Sequence, residues 1–133
     1  MDTRIHAIRL KPGQDLNTAI QEFVNNQNIQ AGWVITCVGS LTEYKLRFAN
    51  QKNAHIGKDF VEIISLSGTL SVNGCHLHIS ISDNHGALTG GHLLEGCTIY
   101  TTAEIIMGES LDLVFNREND GTTEWKELQI KRV

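Results

Sequence analysis

The stretch Cys75-His76-Leu77-His78-Ile79-Ser80-Ile81-Ser82-Asp83 alternates apolar and polar residues. Successive side chains of a strand point to opposite faces. This period of two therefore assigns Cys75, Leu77, Ile79 and Ile81 to a core face and His76, His78, Ser80 and Ser82 to the other. Turn signals flank the stretch. Asn73-Gly74 is a strong short hairpin signal, and Asp83-Asn84-His85-Gly86 marks a second turn. The strand thus sits between two antiparallel neighbours, one at 60–70, bent or broken near Gly68, and one at 87–94.

Farther out, strand patterns recur at 4–10, 33–41, 43–48, 98–107, 111–116 and 124–130, the last two joined by a polar turn at 117–123. The polar segment 49–59, with His55 and Gly57, reads as a loop. Between Pro12-Gly13 and the asparagines at 25, 26 and 28, Leu16, Ala19, Ile20, Phe23 and Val24 recur at helical spacing, with Asp15 as N-cap. The opposite helix face carries Asn17, Thr18, Gln21 and Glu22, so the helix lies on a sheet with one side wet. One main helix and about eight strands in meander-like order predict an α+β fold with a mostly antiparallel β-sheet. No linker or internal repeat interrupts the chain, which reads as a single domain over 1–133.

A chain of 133 residues suits one domain and buries roughly two-thirds of its unfolded surface. The net charge of −4 weighs against strong direct binding to nucleic acid, where phosphate neutralisation supplies most of the affinity. The cations Lys45, Arg47, Lys52, Lys58, Lys131 and Arg132 are scattered. No apolar run approaches the roughly 20 residues of a membrane span, and Met1-Asp2-Thr3-Arg4 lacks a signal-peptide pattern. The expectation is a soluble, cytoplasmic protein. Cys37, Cys75 and Cys97 are odd in number and lie in apolar stretches, as small buried hydrophobes do.

The chemistry concentrates around the opening stretch. His76 and His78 project from one side of a strand, roughly 7 Å apart at the backbone. If Ser82 pairs with Leu88 across the turn, His78 falls opposite His92, and three imidazoles share one face. A one-residue slip would turn His92 away. Three neutral imidazoles with an open position suit zinc, and by softness also iron, nickel or copper. The same residues also fit a wet sheet face or a subunit contact. Gly90 and Gly91 inside a strand indicate a bulge, packing against a second subunit, or room for a ligand. Glu62, on a face with Phe60 and Ile64, and Glu104, between Ala103 and Ile105, are candidates for a supporting or pocket role. His6, His55 and His85 read as surface residues. The sequence holds no nucleophile elbow, phosphate loop, dinucleotide fingerprint or zinc-finger spacing.

Three segments resemble the PPC domain, the plant-and-prokaryote conserved domain. The run Phe60-Val61-Glu62-Ile63-Ile64-Ser65-Leu66-Ser67-Gly68-Thr69 is similar to its F-E-I-L-S-L-x-G-(T/S) core. His76-Leu77-His78 through Asp83, Gly86 and Gly90-Gly91-His92-Leu93 resembles the H-L-H motif region of prokaryotic members, and Gly39-Ser40-Leu41 an earlier G-S-L segment. The resemblance runs from about Ile5 to Ile130. It implies an antiparallel sheet with a helix, a homotrimer, and one divalent metal ion, zinc, on His76, His78 and His92. It also implies association with DNA or a protein partner, although the AT-hook R-G-R-P of plant members is missing. Three functions follow as alternatives: a metal-containing DNA- or transcription-associated binding module, a metal-dependent enzyme acting on a small molecule, or a purely structural assembly domain.

Overall fold

The computed structural model describes residues 2–133. Among them the order is β1 (Thr3–Leu10), α1 (Leu16–Asn26), β2 (Gly32–Arg47), β3 (His55–Leu70), β4 (His76–Ser82), β5 (Leu88–Leu93), β6 (Thr98–Ser110), β7 (Leu113–Glu118) and β8 (Glu127–Arg132). The mostly antiparallel sheet and the single helix match the expected α+β class. The main sheet runs β1-β6-β2-β3-β4-β5. The meander holds from β2 to β5, whereas β6 returns to lie between β1 and β2. Leu46 and Arg47 at the end of β2 also pair with Leu93 and His92 of β5. Strands β2 to β5 therefore pair around a closed circuit.

Several local expectations change. Segments 33–41 and 43–48 form one strand, β2, because a bulge between Leu41 and Glu43 absorbs the break in alternation. The loop expected at 49–59 ends early, since residues 55–58 pair with 43–46. This long-range pairing outweighs local polarity. The ring of His55 stacks on Phe48 with centroids 4.7 Å apart. Gly68 does not break β3: it pairs with Leu77, and its φ of 148° and tight approach to His76 backbone leave no room for a side chain. The hairpin at Asn73-Gly74 is wider than a two-residue turn, with Gly74 N–H donating to Ser71 O at 3.0 Å.

Helix α1 buries Leu16, Ile20 and Val24 completely. The Asp15 carboxylate caps it, accepting from Thr18 N at 2.9 Å. It also accepts from Gly96 N at 2.7 Å and Cys97 N at 2.8 Å, tying the helix start to the turn before β6. The outer side of α1 is not uniformly wet. Gln21 donates to Ser71 O at 3.1 Å and accepts from Cys75 N at 3.2 Å, so the helix pins the loop that leads into β4.

The β7–β8 hairpin forms a separate two-stranded sheet. It docks on the same loop, where Phe115 O accepts from Ser71 Oγ at 2.9 Å and Asn73 Nδ2 at 3.0 Å. Cys37 and Cys97 are buried, Cys75 is half-buried, and all three are free. On the outer sheet face, Val38, Phe60, Ile64 and Leu88 are each more than half exposed, and Tyr100 packs on Phe60 at 4.8 Å. No helix among the described residues is long and apolar enough to cross a membrane.

Candidate metal centre

The alternation that opens β4 does what its period dictates. Leu77, Ile79 and Ile81 enter the core, leaving His76 and His78 on the far face. Asp83 Oδ1 accepts from His85 N at 2.8 Å and Ala87 N at 2.9 Å, which closes the turn into β5. The resulting register pairs Ser82 with Leu88 and His78 with His92, as the sequence predicts. The ring centroids lie 5.0 Å apart for His76–His78, 5.1 Å for His76–His92 and 5.8 Å for His78–His92.

Glycine makes this convergence possible. A Cβ at Gly90 would stand 2.5 Å from Ile79 O, and one at Gly91 2.5 Å from Arg47 O. Strand β5 is thus squeezed between β4 and the end of β2. The close approach expected at these glycines is made by the chain's own backbone.

One nitrogen from each of His76, His78 and His92 lies within 4.8 Å of the others. Ligands about 2.1 Å from a shared tetrahedral ion stand about 3.4 Å apart, so small side-chain rotations bring these donors to bonding distance. Burial pushes His92 from 6.5 down to about 4, with Arg47 adding to the effect. Burial also lowers His76, helped by Arg117 and His78 and partly opposed by Glu127. Both rings are therefore held in the neutral form that binds metal.

Three clefts of about 350, 450 and 570 Å³ open around the cluster. Arg47 reaches the two larger ones from the end of β2 and packs against Trp125, 4.7 Å from the ring centroid. Arg117 comes from β7 and donates to Thr69 Oγ1 at 2.7 Å. Glu127 and Cys75 also border the largest cleft. The sequence marks Arg47 only as one of several scattered cations, and Cys75 only as a core-face residue. Arg117, Trp125 and Glu127 arrive through docking of a distant hairpin, which no local pattern encodes.

The two carboxylates expected nearby lie elsewhere. Glu62 pairs with Ser82, four positions along β4 from His78. It lines a separate groove with Phe60 and Tyr100. Glu104 is exposed on β6, beside Thr102. Neither lines a cleft that the histidines border. His55 and His85 are exposed, as expected. His6 is not: its side chain is 15% exposed and its Nε2 lies 3.0 Å from Glu109 Oε1. The His6 and Phe23 rings also pack in a T-shaped contact with centroids 5.6 Å apart.

The family model of the Plants and Prokaryotes Conserved (PCC) domain matches residues 1–111. The β7–β8 hairpin lies beyond the matched residues. Bifunctional protein GlmU of Synechococcus sp. (strain JA-3-3Ab) is 44% identical over 130 residues, which are 98% of this chain and 21% of that protein. The chain therefore spans about a fifth of the length of that curated relative. A hypothetical protein from Salmonella cholerae-suis has a solved structure with a TM-score of 0.96 and 39% identity, covering 98% of this chain and 95% of its own. A metal-containing protein from Archaeoglobus fulgidus shares the fold at a TM-score of 0.78 and 23% identity, with 95% and 93% covered.

Proposed function

Because the chain belongs to the Plants and Prokaryotes Conserved (PCC) domain family, we propose that it is a cytoplasmic, homotrimeric, metal-binding member that holds one zinc ion through His76, His78 and His92. The observation that carries this reading is the approach of three imidazole nitrogens to within 4.8 Å from two paired strands. Neutral nitrogen donors suit zinc, and three of them leave a position open. The description of the Archaeoglobus fulgidus protein as metal-containing, on the same fold, supports it. The exposed apolar sheet face around Val38, Phe60 and Leu88 supports self-association. A partner, DNA or protein, engages the assembled trimer, and the net charge of −4 per chain favours a protein.

A second reading, a metal-dependent enzyme acting on a small molecule, is favoured by the clefts that meet at the cluster. When bound, the metal supplies a Lewis acid there. The chain's own residues hold His76 and His92 neutral and place two guanidinium groups alongside. Native mass spectrometry of zinc-supplemented protein tests assembly and metal together. The expected species is a trimer with one zinc per chain. A zinc-free monomer overturns both parts.

A further inference from the structure

Arg47 and Arg117 stand on either side of the histidine cluster, carried by β2 and β7. The ion pairs among the described residues are His6–Glu109 and Lys58–Glu43, so neither guanidinium is matched by a carboxylate. Arg47 makes no side-chain hydrogen bond there, and Arg117 spends one donor on a neutral hydroxyl. Each guanidinium has five N–H donors, so most of them have no protein acceptor. Their positions are nonetheless held, by the Trp125 ring and by Thr69. Arg47, Lys52, Arg117 and Lys126 line the clefts against Glu124 and Glu127. A chain of net charge −4 therefore presents a local excess of positive charge, which a bound metal ion increases.

We propose that the cleft between Arg47, Arg117, His92 and Trp125 binds a small oxyanion, a carboxylate or a phosphate, whose charge the two arginines hold. Guanidinium forks match both groups in bidentate geometry. The cleft volume, about 570 Å³, is that of a small-ligand site. This deepens the small-molecule reading above and rests on it for the metal at the ligand's side, but the arginine charges are present without metal. Arg117 and Trp125 lie beyond the residues matched to the family model, so this wall belongs to the hairpin that follows them.

Calorimetric titration with inorganic phosphate, and separately with malonate, tests the inference on zinc-supplemented wild type, Arg47→Gln, Arg117→Gln and a Lys58→Gln control, with zinc counted on every sample. At least one anion is expected to bind wild type, and the stronger one identifies the class. Each arginine substitution weakens that binding about tenfold or more. Arg47→Lys, which keeps charge without the fork, falls between, and Lys58→Gln matches wild type. Zinc without binding of either anion at millimolar concentration overturns the inference and leaves the metal reading standing. Wild-type affinity in both arginine variants also overturns it. Anion binding that depends on the arginines in protein lacking zinc sustains the inference and sinks the metal reading.

Discussion

Adding one methyl group at Gly91 tests whether the fold's closure and the histidine cluster are one structure. An alanine Cβ there would lie 2.5 Å from Arg47 O, 3.1 Å from Arg47 C and 3.6 Å from Phe48 Cα. All three are backbone atoms, so relief requires moving β5 away from β2 by about 1 Å. The strands share only the pairs Leu46–Leu93 and Arg47–His92, and these give way first. Losing both ladder bonds at about 1 kcal/mol each, with overpacking of about 1–3 kcal/mol, gives a cost of about 3–5 kcal/mol. Total stability of such a domain is about 5–15 kcal/mol. Gly86→Ala is the control: its φ is +80° and no atom lies within 4 Å of the added Cβ, so it carries only backbone strain of about 1 kcal/mol. Urea unfolding followed by circular dichroism reads the difference as a midpoint lower by about 1 M or more. Zinc affinity is expected to fall in Gly91→Ala and not in Gly86→Ala, because His92 moves only in the first. Equal midpoints for the two variants, with wild-type zinc affinity in both, would refute the reasoning.

Asp15→Ala removes the acceptor of three backbone N–H groups and is expected to cost about 2–3 kcal/mol in the same unfolding assay. In metal-free protein, proton NMR is expected to show His92 titrating near 4 rather than 6.5. The unfolded chain then takes up this proton first, so the stabilising contribution is complete above about 6.5 and is lost as pH falls toward 4. Burial pushes Cys37 and Cys97 up to about 11. Burial raises Cys75 too, but its hydrogen bond to Ser71 O and the nearby Arg117 oppose the shift. It is also only half-buried, so brief alkylation near neutral pH is expected to label Cys75 first, with the other two reacting only on unfolding.

The parts of the site read correctly from sequence are those fixed by short-range rules. Alternation set the face of His76 and His78, and the turn closed by Asp83 set the register that brings His92 opposite His78. The apolar face and cap of α1 were equally local. What escaped depends on distant partners. The pairing of 55–58 with 43–46 overrode a loop-like composition, and β6 inserted between β1 and β2. Arg117 joined the cleft only because its hairpin docks on the loop at 71–75. Glu62 shows a different limit. It shares a face with Phe60 and Ile64 as expected, but that face is open in the single chain, with Phe60 60% exposed. Alternation identifies an apolar face without saying whether a helix covers it.

Zinc retained after exhaustive dialysis, measured by elemental analysis on wild type, His76→Ala, His78→Ala, His92→Ala, Glu62→Gln and Glu104→Gln, tests the metal centre most directly. About one zinc per chain is expected in wild type and both glutamate variants, with loss in each histidine variant, because three donors form a single site. Zinc retained equally in all three histidine variants, or absent from wild type, would contradict it.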